Sequence, residues 1–307
     1  MPALPKSHAL GLVWAVTAIA IWSGSLVMLR FGVTTSLNAF DLTALRVGVA
    51  SLVLMPVIFR RGFALGQLGI GGLLIMVVGF GAPYILLISL GLKTAPASAA
   101  GSLNPGVMAV VSVLLGWKIL GDRVGPVRVV GGVAILVGAA FFASLPGAEK
   151  GVGHLILIVT GIMWAGYTLV VRRAGIPALH ATAIVAVGSA ILYLPIYVAA
   201  LPKQLSIAPL PDIAAQAIFQ GMFVSVVAVF AFNRSSELLG SVAGATLPAL
   251  IPLVTLGLGA VMLDERAGIR DFASATLIGG GVALILAGHV TSRRSLATFI
   301  RKRVRDS

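Results

Sequence analysis

The segment "AGSLNPGVMAVVSVLLGWKILGDR", Ala100 to Arg123, is too apolar for a loop, yet it carries Asn104 and Pro105 near its start. A second segment, "AGATLPALIPLVTLGLGAVMLDER", Ala243 to Arg266, repeats the plan 143 residues later: Ala-Gly, a proline four residues beyond that glycine, and a charged tail ending in arginine. Two further landmarks recur in the same order. "IWSGSLVMLR" (Ile21 to Arg30) matches "MWAGYTLVVR" (Met163 to Arg172) at an offset of 142, with Trp, Gly and Arg in register. "GGVAIL" (Gly131 to Leu136) matches "GGVALI" (Gly280 to Ile285). The chain reads as a duplicated unit.

Composition places that unit in a membrane. The 307 residues are 59% hydrophobic and 10% charged, with a mean hydropathy of 1.08, more apolar surface than one soluble core can hide. Runs near the roughly 20 residues that an α-helix needs to cross about 30 Å of hydrocarbon recur ten times. The spans are read at 9–29, 40–59, 68–91, 96–118, 126–145, 152–171, 178–200, 212–234, 240–263 and 271–290. The first run has the length of a full span and no convincing small-residue cleavage site, so it is helix one rather than a signal peptide. The expectation is an all-α integral membrane protein of ten transmembrane helices. Residues 1–148 form the first five-helix repeat, 149–292 the second, and 293–307 a basic tail. Because each repeat holds an odd number of spans, the second enters the membrane from the opposite side. Inverted repeats of this kind are common in transporters, where two halves meet at a midplane site and open it alternately to each side.

The net charge of +13 would suggest nucleic acid in a soluble protein, so its distribution decides. With loops assigned alternately, fifteen lysines and arginines fall with the termini and six (Arg30, Lys93, Lys150, Lys203, Arg266, Arg270) on the other side, Arg46 alone lying inside a span. The positive-inside rule then puts both termini in the cytoplasm. The basic excess is chiefly a topology signal and no nucleic-acid partner is expected; the tail "RRSLATFIRKRVRDS" either lies on anionic lipid or is simply solvated. No cysteine is present, hence no disulfide framework and no thiolate metal site. No cofactor and no metal are expected.

The prolines have a direct physical consequence. Pro105 and Pro248 lack the N–H that would reach the carbonyls of Gly101 and Gly244, so each helix should kink and leave a carbonyl that lipid cannot satisfy. The kinks should face protein or a water-filled cavity, either as packing devices or as bending points of a pathway. Ala97 with Gly101, and Gly240 with Gly244, also allow another helix to approach closely.

With these residues in view, the chain resembles the drug/metabolite transporter superfamily, specifically its ten-helix EamA-type permeases. The resemblance rests on the duplicated five-helix unit and on spans four and nine, each with small residues, a proline and an acid at the exit. The arginine of "DLTALRVGVA" adds to it. Asp122 departs from the usual glutamate, which Glu265 keeps. Within the family, the outline is similar to bacterial exporters of amino acids, including the aromatic amino-acid and paraquat exporters. The resemblance implies a central cavity bounded by spans one, three, four, six, eight and nine, with five and ten peripheral. Trp22 and Trp164 at matching positions, Tyr84 after Pro83, Asn104, and Tyr167 beside Gly166 are the candidate cavity residues; the two tryptophans read equally as core packing. Rings with a few amide or hydroxyl groups suit a neutral or zwitterionic organic molecule with an apolar body. Arg46, costly to bury by about 2.5–3.5 kcal/mol on an insertion scale, either snorkels to the outer face or attracts a substrate carboxylate.

All Asp and Glu residues sit near span ends, as do His154, His180 and His289, so an intramembrane proton relay of the usual kind lacks its residues. The expectation is an inner-membrane exporter of small metabolites such as apolar or aromatic amino acids, in a bacterial-type membrane, running as a monomer down a substrate gradient. Alternatives are a multidrug or nucleotide-sugar-like carrier of the same superfamily, an intramembrane hydrolase using Ser23 or Ser25, which would need a base within reach, and a lipid scramblase.

Overall fold

A computed structural model describes residues 6–143, 148–232, 234, 235, 238, 239 and 247–305; side chains are described within 9–141, 151–232, 234, 235, 238, 239 and 249–288. Helices run in the order α1 (Lys6–Thr34), α2 (Ala39–Arg61), α3 (Leu65–Phe80), α4 (Ala82–Thr94), α5 (Ala97–Leu120), α6 (Pro126–Ala143), α7 (Ala148–Ala174), α8 (Ala178–Ala200) and α9 (Leu210–Gln216). A π-helical stretch (Ala217–Val227), a 3₁₀ turn (Leu247–Leu250), α10 (Ile251–Leu263) and α11 (Ile269–Arg305) complete the order. Among the described residues there is no strand. Among the described residues eight helical segments are long and apolar enough to cross a membrane, and Pro126–Phe141 and Ile251–Leu263 are shorter apolar helices. The outward faces carry bare apolar side chains: Leu52 is 73%, Phe59 82% and Val261 85% exposed. Such a surface fits lipid rather than water, and the protein is a multi-pass membrane protein.

Span three is not one helix. The run 68–91 reads as continuous in the sequence, but the chain breaks at Gly81 (φ −96°, ψ −145°) between α3 and α4. Pro83 follows at the second position of α4, where its missing N–H is no loss. Ser189 of α8 caps the break, its hydroxyl accepting the Ala82 N–H at 3.0 Å. A Cβ at residue 81 would collide with that hydroxyl and with the Val77 carbonyl, which is why glycine stands there. α3 also turns at Gly69 (φ 61°), a left-handed position that glycine adopts without steric cost.

The two prolines differ. Pro105 sits inside the uninterrupted α5, whereas Pro248 lies in the 3₁₀ turn that leads into α10, the residues just before it lying outside the described ones. Gly244 and Gly240 lie outside the described residues. The helix α11 runs on through the basic tail to Arg305, whose side chains also lie outside them.

Helix pairs meet twice, once in each sense. α1 packs on α10 and α7 on α5; α2 packs on α8, and α6 on α11. The Gly-Gly motifs face one another across the last pair, where a Cβ at Gly131 would stand 2.6 Å from the Gly281 carbonyl. Ser274 donates to the Gly138 carbonyl at 2.5 Å in the same seam. α5 and α10 approach at Gly101, whose Cβ would lie 2.6 Å from Thr255 Cβ. At one end of the bundle, buried Asp41 closes a capping box with Asn38 and accepts from Tyr197 Oη at 2.6 Å and from the Gln204 N–H, tying α2 to α8.

Gly101→Val is expected to destabilise the detergent-solubilised protein by about 1–3 kcal/mol, the usual range for overpacking. Gly257, with nothing within 4 Å of its Cβ position, should accept alanine without loss; thermal unfolding midpoints of the two variants check the contrast.

Candidate functional site

A cavity of about 140 Å³ lies between the repeats. α1 contributes Trp22, Ser25, Leu26 and Leu29; α2 contributes Arg46, Val47 and Ala50; and Phe80, Tyr84, Ile85 and Ile88 flank the Gly81 break. Asn104 and Pro105 of α5, Trp164 of α7, Thr182, Val185 and Ala186 of α8, Val224 and Ser225 of the π-helical stretch, Val229, and Ile251 of α10 complete the lining. Among these residues none comes from α6 or α11, the fifth helix of each repeat. α8 reaches it too, as does α2, which the family resemblance left out of the cavity although its Arg46 was a candidate.

Of the candidate residues, Trp22, Arg46, Tyr84, Asn104, Pro105 and Trp164 line this space together, and Tyr167 does not. Tyr167 instead stacks on Phe80 from behind, centroids 4.8 Å apart at 15°. Phe80 is the hub of the aromatic wall, 5.3 Å from Trp164 and 5.0 Å from Tyr84. Trp22, in the first repeat like Phe80, tilts against Phe232 of the second at 5.3 Å. The two tryptophans matched by the repeat thus meet one cavity, each braced by a phenylalanine.

Asn104 is held by a polar chain. The Tyr84 hydroxyl donates to Asn104 Oδ1 at 3.1 Å, Asn104 Nδ2 donates to Thr160 Oγ1 at 2.7 Å, and Thr160 donates to the Leu157 carbonyl at 2.8 Å. The chain links α4, α5 and α7 and orients the phenol and amide of the wall. A second link joins α1 to the π-helical stretch: Ser25 Oγ donates to Gln220 Oε1 at 2.8 Å, and Gln220 Nε2 returns a bond to the Ser25 carbonyl at 2.9 Å. Gln216 Nε2 bonds the Met28 carbonyl at 2.6 Å one turn away. Ser23 Oγ reaches the Ile251 carbonyl at 3.5 Å. The bonds of Ser23 and Ser25 are therefore to a carbonyl and an amide, not to a general base.

Arg46 differs from the amide and hydroxyl groups of the wall, which are bonded to protein. It lines the cavity and, among the described residues, makes no hydrogen bond or ion pair with protein.

Two ion pairs close the bundle, one at each end, and both join opposite repeats. Arg172, ending α7, grips Asp122 beyond α5 with two bonds of 2.7 and 2.8 Å. Arg30, near the end of α1, pairs with Glu265 beyond α10 and donates to the carbonyls of Leu92 and Ala95 at 2.6 and 2.7 Å. Glu265 also accepts the Ala97 N–H at 3.0 Å. The arginines and the acids occupy equivalent positions of the duplication, so one latch has been inherited twice in opposite senses. The Arg172 side chain is 37% exposed, against 22% for Arg30. Accordingly Asp122→Asn should cost about 0.2–1 kcal/mol, as for exposed pairs, and Glu265→Gln about 1.5–3 kcal/mol, as for charge-assisted hydrogen bonds; midpoints measured in one detergent would rank them.

The model of the EamA-like transporter family matches residues 9–144 and again 151–287. An uncharacterized protein of Pseudomonas aeruginosa is 26% identical over 289 residues, spanning 90% of this chain and 94% of its own. A solved crystal structure superposes with a TM-score of 0.60 at 22% identity, covering 92% of this chain and 98% of that one, and shares the fold. With both halves matched in tandem by one family model, the chain belongs to the EamA-like transporter family.

Proposed function

We propose that the protein is an exporter of small organic metabolites, with amino acids bearing apolar or aromatic side chains as its substrates, in the inner membrane of a bacterial-type cell. It crosses the membrane ten times with both termini in the cytoplasm and works by alternating access about the central cavity. The observation that carries the reading is the cavity itself: Trp22 and Trp164, equivalent in the two inverted repeats, line one space with Tyr84 and Asn104. A wall of rings with one phenol and one amide complements an apolar body carrying few polar groups. Cross-repeat contacts at both ends, Arg30 with Glu265 and Arg172 with Asp122, suit two halves that rock against each other. Among the described residues no Asp, Glu or His lines the cavity, which supports transport down the substrate's own gradient without a carboxylate-borne proton.

The test is efflux of a labelled amino-acid panel from proteoliposomes with and without a pH gradient. Saturable, gradient-insensitive efflux of apolar or aromatic members is expected. Trp164→Ala should slow it roughly tenfold at low substrate, the equivalent of about 1.4 kcal/mol for a lost ring contact, and Asn104→Ala by a similar factor. Efflux of no amino acid would move drugs and other metabolites to the front.

A further inference from the structure

Within the proposed exporter, on which this inference rests, the cavity wall is electrically one-sided. Among the described residues Arg46 is the only charged one lining it, and none of them brings an acidic side chain there to offset the guanidinium. An arginine in a span is costly unless paired, yet Arg46 makes no bond to protein among the described residues, while Asn104, Ser25 and Tyr84 around the same space are all bonded. The second observation is the broken helix. α4 begins at the cavity wall, between Phe80 and Tyr84, and a helix start inside a membrane carries a partial positive charge that favours anions. Its Ala82 N–H is taken by Ser189, so the break adds field rather than a donor, and Arg46 remains the group able to make a charge-assisted bond.

We propose that the same cavity takes, in preference to the zwitterionic amino acids, an organic monoanion, an apolar or aromatic body bearing a carboxylate that sits on Arg46, and that this anion crosses with its charge uncompensated. The ring lies against Phe80, Trp22 and Trp164, and the carboxylate supplies the partner Arg46 lacks. A zwitterion with the same body binds less well, because its ammonium must enter beside a guanidinium with no acid to receive it. Over a full cycle Arg46 returns to its starting place, so the net charge moved is the substrate's alone. An inside-negative membrane potential then drives export directly, which removes the need for a coupling ion.

A matched pair of probes tests this: 3-phenylpyruvate, a monoanion, and phenylalanine, the zwitterion of the same skeleton. In proteoliposomes clamped with potassium and valinomycin, phenylpyruvate should distribute tenfold for each 59 mV toward the positive side, the value for one charge. Phenylalanine should ignore the potential and move at least tenfold more slowly at equal concentration. Arg46→Gln should cut phenylpyruvate flux at least tenfold and phenylalanine flux less, with Arg46→Lys restoring part of it. A phenylpyruvate distribution indifferent to the potential overturns the proposal in the wild type alone, whatever becomes of the variants. Saturable phenylalanine flux without phenylpyruvate flux overturns it too and leaves the exporter reading standing, whereas no saturable flux of either compound defeats both.

Discussion

Inside hydrocarbon a polar group has only protein to turn to, and that constraint arranges this molecule. Serine and threonine hydroxyls can turn to a carbonyl of their own helix, as Thr43 and Thr182 do, but the larger amides and the acid find their partners on other helices, several of them across the two repeats. Gln216 and Gln220 hold α1 to the π-helical stretch, Asn104 holds α4, α5 and α7 together, and Asp41 collects Tyr197 and a backbone N–H from the far side of α8. The same bonds that satisfy these groups fix the walls of the space between the halves. Arg46 stands out because it obeys the constraint only if something that enters the cavity completes it.

The duplication then explains why the fold has two similar ends. A contact made once near one end of the bundle is made again near the other: an arginine closing the first helix of one repeat reaches the acid beyond the fourth helix of its sister. The copies have diverged in chemistry. Glu265 reaches a backbone N–H as well as Arg30, while Asp122 grips Arg172 bidentately in a more exposed setting. The two latches thus differ in burial as well as in chemistry.

Much of this was legible in the chain, and the parts that were not share a cause. The repeat showed through landmarks at a constant offset, and it placed Trp22 and Trp164 on one cavity because equivalent positions in an inverted pair approach the same axis. Arg46 and Asn104 stood out as costly in an apolar run. The Gly81 break left no comparable mark: "GFGAPY" is as apolar as its surroundings, and its cap comes from Ser189, more than a hundred residues away. Phe80, the hub of the aromatic wall, was one ring among many apolar residues. Tyr167 was assigned to the cavity from its spacing after Trp164, but Phe80 occupies the position between it and the open space. Gln216 and Gln220, four apart on one helical face, were a readable signal that hydropathy averaging smoothed over.

The central claim is that one cavity serves both faces of the membrane. The absence of cysteine from the chain makes that directly measurable with a single reporter, Ala186→Cys, at a small residue of the cavity wall. Labelling by a membrane-impermeant maleimide would be followed in vesicles of each orientation. The account predicts reaction from both sides, at rates that shift in opposite directions when a transported substrate is present on one of them. Reaction from one side only, under every substrate condition, would contradict alternating access and leave a one-sided pocket in its place.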